Sequence, residues 1–289
     1  MPGRPGRSRS PSAGYSALSA LRSIGRDRRT GAHGLSTATL EILSRAVDAW
    51  RNDPPTHPAR VVRSVARSLD RIQPAMGTFR RWAIEWTRIA SEVPERRLLG
   101  TLVRWTRGWR VRLAREPRRL ETVARERLPR HGRVLTLSRS ESVRRALAAG
   151  RGVRRPAEVI VLESRPGGEG RMFARELRGQ GLPARVVADR EGLRLVDHMD
   201  LLLIGADAVY EDGSVVHKVG TRRLALAAHR LGVPVVVVTG RSKAVPRTRP
   251  ARPLPRRFDR TPGRAIREYW TDRGREVARS WRPRSLRRR

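Results

Sequence analysis

Residues 201–207 read LLLIGAD, a run of four large apolar side chains followed at once by a small turn and an acid. Similar short apolar runs recur along the second half of the chain and alternate with stretches of helical periodicity. Runs that are nearly continuous in apolar residues are typical of parallel strands covered on both faces. The predicted strands are Arg133–Leu137, Glu158–Glu163, Arg185–Ala188, Leu201–Ile204 and Val235–Val238.

Helical stretches separate these runs, at Ser140–Ala149, Glu169–Gln180 and Lys218–Leu231. Parallel strands joined through helices need right-handed crossovers, which place helices on both faces of an open sheet. We therefore predict an α/β protein whose second half is a doubly wound, Rossmann-like parallel sheet domain.

The first half has a different pattern, with apolar residues at three- and four-residue spacing from about Leu35 to Leu128. A proline cannot continue a helix, and the residue before it avoids the helical conformation. Prolines at positions 54, 55, 74 and 94 therefore divide this half into four predicted helices. Pro117 is a predicted kink or break in the last of them.

Four segments follow from these patterns: a basic leader at 1–30, a helical domain at 31–128, a sheet domain at 129–274 and an Arg-rich tail at 275–289. The leader is rich in Arg, Ser, Gly and Pro, which is typical of disorder. A transit peptide has a similar composition, but Pro2, Pro5 and Pro11 disfavour the amphipathic helix that it needs.

The composition excludes several classes of chemistry. There is no cysteine among the 289 residues, so disulfides, thiolate metal sites and thiol nucleophiles are ruled out. No apolar run approaches the roughly 20 residues of a membrane-spanning helix, and we expect a soluble protein without a membrane partner.

The formal net charge of +37 raises a nucleic-acid partner as one possibility. However, 62 of the 64 basic residues are arginine and they are spread through every segment, which indicates a bias in residue usage. Because arginine replaces lysine almost everywhere else in this chain, the two lysines, Lys218 and Lys243, are unusual.

Polar residues follow four of the predicted strands, at 136–140, 163–166, 205–207 and 239–243. In an open parallel sheet, ligands bind beyond the carboxyl ends of the strands. Hydroxyls, cations and an acid beside helix N-termini suit a phosphorylated ligand, because free N–H groups and the helix dipole favour anions. No segment matches the GxGxxG or P-loop motif, and we expect neither a cofactor nor a metal site.

Three ordered motifs resemble the translation initiation factor 2B alpha/beta/delta family. They are LESRP with GEGR and EL at 162–177, GAD with DG and HKVGT at 205–221, and FD with TP and later I, Y, T and G at 258–274. The resemblance covers about Arg133 to Gly274, and the helical front half fits the helical domain of that family.

This family contains sugar-phosphate isomerases and regulatory subunits of a guanine-nucleotide exchange factor. The resemblance implies a cytoplasmic protein that forms a homo-oligomer or assembles with related subunits. In the isomerases, a cysteine after the first strand and the aspartate of GAD act on ribose 1,5-bisphosphate or methylthioribose 1-phosphate. Asp207 matches that aspartate, whereas Ser138 stands at the cysteine position.

Asp207 and Ser138 are therefore the catalytic candidates, and His217 replaces the asparagine of the family's NK pair. A hydroxyl is far harder to ionise than a thiol without a dedicated base, and the sequence indicates no base beside Ser138. The candidate ligand or phosphate contacts are Arg165, Ser140, His217, Lys218 and Lys243.

Three functions remain open at this point. The first is a regulatory, non-catalytic protein that binds a phosphorylated metabolite or nucleotide. The second is an aldose–ketose isomerase of the ribose 1,5-bisphosphate type that uses Asp207 with water or Ser138. The third is an arginine-rich RNA-associated protein in which the sheet is only a scaffold. Without a base at Ser138, we expect turnover to be undetectable or very slow.

Overall fold

The computed structural model describes residues 13–27, 30–150, 152, 154–246, 253–277 and 281. Contacts divide the chain into two compact units. The first, here called the helical unit, comprises Met1–Thr30, Gly34–Gln73 and Trp82–Arg110. The second, the sheet unit, comprises Gly31–His33, Pro74–Arg81 and Val111–Arg289. This division differs from the predicted boundary after residue 128, because one long helix contributes residues to both units.

Five helices occupy the described part of the front half: α1 Ala13–Arg26, α2 Ala32–Asn52, α3 Pro58–Ile72, α4 Gly77–Glu92 and α5 Glu95–Arg127. Helices α2 to α5 confirm the four predicted helices and the proline breaks between them. Pro117 lies inside α5, which continues without interruption to Arg127.

Helix α1 corrects the prediction of a disordered leader, at least for residues 13–26. Ala17, Leu21 and Ile24 lie on one face of this helix and are buried, and α1 packs against α3. The amide of Gln73 donates hydrogen bonds to the carbonyls of Ile24 and Asp27, both at 3.2 Å. The apolar spacing of four and three residues thus outweighs the Arg-rich composition. Residues 1–12, 28 and 29 of the leader lie outside the described residues.

A cluster of five tryptophans, which we call the indole cluster, packs in the helical unit. Its ring contacts are edge-to-face or tilted, with centroids 5.3 to 6.4 Å apart. Glu85 accepts hydrogen bonds from the indole N–H groups of two of these rings, each at 2.8 Å. The members are Trp50, Trp82, Trp86, Trp105 and Trp109.

The predicted strands form the centre of the larger sheet. Their observed bounds are β1 Arg133–Leu137, β2 Glu158–Leu162, β3 Ala184–Val187, β4 Leu201–Ile204 and β7 Val235–Val238. Two further strands, β9 Glu268–Thr271 and β10 Gly274–Val277, extend this sheet. In the described residues the sheet has seven strands in the order β10-β9-β7-β4-β1-β2-β3. The strands from β9 to β3 are parallel. The chain order reverses between β1 and β4, which makes this the switch point of the sheet.

Helices α6 Glu141–Gly150, α7 Glu169–Gly179, α8 Asp189–Leu195 and α9 Thr221–Arg230 connect the strands. Two apolar cores lie on opposite faces of the sheet. Along β4, for example, Leu202 and Ile204 belong to one core, whereas Leu201 and Leu203 belong to the other. Successive side chains of a strand point to opposite faces, so a run of apolar residues is what a sheet covered on both sides requires. The predicted fold class is confirmed.

Five further strands were not predicted. Strands β5 Ala208–Val209, β6 Val215–Lys218 and β8 Phe258–Thr261 form a small antiparallel sheet. Strand β9 Glu268–Thr271 joins the large sheet beside β7, and β10 Gly274–Val277 pairs with β9 in the antiparallel direction.

The predicted tail at 275–289 needs a correction at its start. Its first residues complete β10, and the ring of Trp281 packs 4.5 Å from that of Tyr269 in the core of the sheet unit. Residues 278–280 and 282–289 lie outside the described residues. Within the part of the chain that the structure describes, no helix is long and apolar enough to cross a membrane.

Candidate functional site

The carboxyl ends of β1, β2, β4 and β7 meet at one edge of the large sheet, because these strands are parallel. The polar segments predicted from the sequence follow these ends. Ser138 comes after β1, Ser164 follows β2, Asp207 follows β4, and Lys243 ends a short 3₁₀ helix, Arg241–Lys243, after β7. The structure therefore brings the predicted segments to one edge of the sheet unit.

Two serines form a tight corner between β1 and β2. Ser138 and Ser164 have φ values of 61° and 65°, a left-handed conformation that is uncommon for residues other than glycine. The backbone N–H of Ser138 donates to Ser164 Oγ at 2.6 Å. The carboxylate of Asp189 accepts from the backbone N–H groups of Ser164 and Arg165, both at 2.7 Å. Asp189 thus fixes this corner, a role that the sequence did not indicate.

The side chain of Ser138 has an acidic neighbour, which corrects the prediction that no base lies beside it. Ser138 Oγ donates to Glu169 Oε1 at 3.0 Å. Lys218 Nζ lies 2.7 Å from the same carboxylate oxygen and donates to the carbonyl of Pro166 at 2.8 Å. Glu169 is the first residue of α7, and the sequence indicated only that a helical stretch begins there.

His217 and Lys218 end strand β6, which corrects the prediction that Lys218 begins a helix. The run Val215–Lys218 pairs on both sides, with β5 and with β8. Helix α9 begins three residues later at Thr221. His217 is 4% exposed, and its Nδ1 lies 3.1 Å from Asp259 Oδ1.

Asp207 lies where the small sheet meets the end of β4. Its backbone N–H donates to the carbonyl of Val216, and its carbonyl accepts from the N–H of Gly77, both at 2.8 Å. Burial raises the pKa of the Asp207 carboxyl, although the positive charges of Lys243 and Lys218 act in the opposite direction. Asp207 as a whole residue is half-buried. A carboxyl with a raised pKa is suited to donate a proton.

Lys243 is buried beside this carboxyl. It is 8% exposed, and its Nζ donates to the carbonyl of Ala206 at 2.6 Å. His33 is a further neighbour that the sequence did not indicate. Burial lowers its pKa, and the positive charge of Lys243 acts in the same direction.

A buried acid holds the segment that carries Lys243. Glu116 of α5 accepts hydrogen bonds from the backbone N–H of Ser242 at 3.2 Å and from its hydroxyl at 2.9 Å. Burial raises the pKa of Glu116 to about 7, and the negative charge of Asp272 adds to this effect.

The two remaining predicted ligand contacts, Arg165 and Ser140, also have partners within the protein. Arg165 Nε pairs with Glu163 Oε2 at 2.7 Å, and hydrogen bonds from Arg165 and Arg171 lower the pKa of Glu163 to about 2. Ser140 Oγ accepts from the N–H of Val143 at 3.4 Å, which is the geometry of a helix cap for α6. Among the described residues, no group of three or more His, Asp or Glu side chains is arranged to hold a metal ion.

A helical region and a doubly wound sheet with polar, lysine-containing segments at its carboxyl edge define an α/β protein with a candidate ligand site. The sequence profile of the initiation factor 2 subunit family matches residues 28–257, and the chain belongs to this family.

Similar proteins include both enzymes and initiation-factor subunits. The ribose 1,5-bisphosphate isomerase of Haloterrigena turkmenica is 43% identical over 91 residues, which are 32% of this chain and 28% of that protein. A putative translation initiation factor eIF-2B subunit 2-like protein of Pyrococcus abyssi is 36% identical over 104 residues, which cover 36% and 38% of the two chains. The aligned region therefore spans less than two fifths of either relative.

Solved structures resemble the fold over nearly the full chain. The translation initiation factor eIF-2B of Pyrococcus horikoshii has a TM-score of 0.73 at 24% identity and covers 91% of this chain and 97% of its own. A chain of the tetrameric eIF2B-beta2-delta2 complex from C. thermophilum has a TM-score of 0.78 at 19% identity, with 93% of each chain covered. At this level of identity, the likeness establishes a common fold.

Proposed function

We propose that the protein binds a sugar phosphate at the carboxyl edge of the large sheet. The observation that carries this proposal is that the only two lysines of the chain, Lys218 and Lys243, both act on the buried carboxyl of Asp207. A carboxyl can hydrogen-bond sugar hydroxyls, and ammonium groups are compact donors for phosphate. The similarity to a ribose 1,5-bisphosphate isomerase supports a sugar phosphate as the ligand.

Both lysines keep donor capacity for a ligand. An ammonium group has three N–H donors. Lys243 donates one of them to Ala206, and Lys218 uses two for Pro166 and Glu169. Because the two side chains are held by these contacts, little conformational entropy remains to be lost when a phosphate binds.

A ligand panel tests this proposal. We expect ribose 1,5-bisphosphate to raise the melting temperature of the protein, since a ligand that binds only the folded state stabilises it. Ribose 5-phosphate should give a smaller shift, and ribose at the same concentration should give none. Equal shifts from ribose and from its phosphates would contradict a phosphate-dependent site.

Aldose–ketose isomerisation is the second candidate function, and the contact between Ser138 and Glu169 favours it. The regulatory, non-catalytic hypothesis relied on a serine without a base, and that argument no longer holds. A methylthioribose-1-phosphate isomerase of Rhodospirillum centenum, 45% identical over 82 residues, also supports an isomerase. A regulatory role remains the alternative, since the similar subunit structures support it only through the fold.

A further inference from the structure

Glu169 occupies a position that packing alone does not explain. A carboxylate in the first turn of a helix is stabilised by the free N–H groups and the dipole of that helix. The side chain of Glu169 instead contacts Ser138 Oγ at 3.0 Å and Lys218 Nζ at 2.7 Å. These two residues come from the end of β1 and the end of β6, so the carboxylate joins two separate parts of the site.

The backbone before Glu169 leaves room for this carboxylate. Gly167 has a φ of 115°, and a side chain at that position would collide with Glu169 Oε2. The residue that precedes the helix, Gly168, also has a positive φ and offers no side chain to cap the helix. The second carboxylate oxygen, Oε2, therefore lies against the backbone of Gly167, close to Lys218 Nζ.

Lys218 links Glu169 to Asp207. The ammonium group contacts the Glu169 carboxylate directly and is close enough to Asp207 to oppose the rise of its pKa. The two acids belong to different strand ends, one after β2 and the other after β4, on either side of the switch point. Two acids with different surroundings are the arrangement that lets one donate a proton while the other accepts one.

We propose that Glu169 is the catalytic proton acceptor of this site and that it removes the C2 proton of a bound aldose phosphate, with Asp207 as the proton donor. This proposal depends on the proposed binding of a sugar phosphate. Ser138 is then a positioning residue, because its hydroxyl donates to Glu169 and fixes the direction of the carboxylate.

The steps balance without a further reactant. Protonated Asp207 gives its proton to the ring oxygen as the bond between C1 and that oxygen breaks, and C1 becomes an oxocarbenium carbon. Glu169 removes the proton from C2, and the C–H electron pair forms a C1–C2 double bond. The Glu169 side chain is 27% exposed, so its carboxyl exchanges this proton with solvent and then returns a proton to C1. The hydroxyl on C2 meanwhile gives its proton to Asp207 and becomes the ketone. Both acids end in their starting states.

The test compares Glu169→Gln with Glu176→Gln, a matched change on the same helix whose carboxylate pairs with exposed Arg139. Formation of ribulose 1,5-bisphosphate from ribose 1,5-bisphosphate is measured in water and in D₂O. Loss of a general base typically costs about 10² to 10⁴-fold in rate. We expect Glu169→Gln to lose kcat by at least about 100-fold with a small change in KM. Glu176→Gln should retain the wild-type rate, and the wild-type product should carry solvent deuterium at C1.

A second variant separates chemistry from folding. Glu169→Asp keeps a carboxylate on a shorter side chain, and we expect it to retain more kcat than Glu169→Gln at a similar melting temperature. Wild-type turnover that persists in Glu169→Gln, or a product without deuterium, would overturn the proposal. Ligand-induced stabilisation without any turnover would also overturn it but leave sugar-phosphate binding intact. No stabilisation by any sugar phosphate would refute both proposals.

Discussion

At the scale of single residues, Lys218 is the side chain on which ligand binding should depend most. It is the cation that contacts Glu169, and its side chain is only 14% exposed. A charge-assisted hydrogen bond is worth about 1.5 to 3 kcal/mol, whereas an exposed cation contributes far less. We expect Lys218→Met to weaken sugar-phosphate binding about tenfold or more, measured by titration calorimetry.

A matched control uses an arginine at the opposite edge of the sheet. Arg185 is exposed and pairs with Glu158, so Arg185→Met removes the same charge far from the strand ends that carry the site. Its affinity should stay within about twofold of wild type. A loss as large as that of Lys218→Met would indicate that net charge, and not the site, determines binding.

Glu116 predicts a specific dependence of stability on pH. The pKa of this acid is raised from 4.5 to about 7, so the native state holds the proton more tightly than the unfolded chain does. Its contribution is complete below pH 4.5 and is lost as the pH rises through about 7. The rise in pKa from 4.5 to about 7 corresponds to a loss of about 3 kcal/mol of unfolding free energy between low and high pH.

Urea unfolding at pH 5 and pH 8 measures this effect. We expect Glu116→Gln to be more stable relative to wild type at pH 8 than at pH 5, because glutamine does not ionise. Glu126→Gln changes an exposed acid on the same helix and should leave the pH dependence unaltered. If the difference in unfolding free energy between Glu116→Gln and wild type were the same at pH 5 and pH 8, Glu116 would not titrate in this range.

The sequence predicted some site residues and missed others for a physical reason. Asp207, Ser138, Lys218 and Lys243 directly follow strands or stand out by composition, and strand ends can be found from apolar runs. Acids that enter the site from helices have no such signal. Glu169, Glu116 and Asp189 become neighbours of the site only through tertiary contacts. Arg165 and Ser140 stay predicted ligand contacts, although both have internal partners.

At the scale of elements, the start of α4 is tied to the site. The N–H of Gly77 donates to the carbonyl of Asp207, and a side chain on Gly77 would collide with the carbonyl of Lys243. Overpacking of this kind typically costs about 1 to 3 kcal/mol. We expect Gly77→Ala to lower the unfolding free energy by that amount and also to weaken ligand binding.

Gly108, in the interior of α5, is the matched control. No atom lies within 4 Å of an added methyl group at this position. Replacing an unhindered helical glycine with alanine typically stabilises by about 0.5 to 1 kcal/mol. Opposite signs for the two glycine variants in chemical denaturation would support the close approach at Gly77, whereas stabilisation by both would contradict it.

The predicted helices and strands have sequence patterns that span a few neighbouring residues, whereas the missed strands depend on partners that are distant in the chain. The prolines and the continuous apolar strands are visible within a few residues of sequence. Strands β5, β6 and β8 are short, and β6 needs a partner about 40 residues away. His217 and Lys218 at the end of β6 therefore had no local pattern that separated them from the following helix.

At the scale of the whole molecule, we predict that the protein is at least a dimer, as the family resemblance implies. The apolar runs Leu201–Ile204 and Val235–Val238 are central strands, buried by the chain's own cores, and offer no interface. Light scattering at moderate salt should give a mass of at least twice 32.7 kDa, and a monomer alone would refute the prediction.

A nucleic-acid partner also stays a prediction.

The indole cluster gives the helical unit an optical signature. Five of the seven tryptophans lie in this cluster, with ring centroids 5.3 to 6.4 Å apart, so most of the indole rings of the chain report the packing of the helical unit. Indole rings held in a fixed, asymmetric packing give near-ultraviolet circular dichroism, which disappears when that packing is lost. Loss of the near-ultraviolet signal therefore follows mainly the helical unit, because only Trp270 and Trp281 lie in the sheet unit. Far-ultraviolet ellipticity recorded in the same experiment follows the backbone of the whole chain.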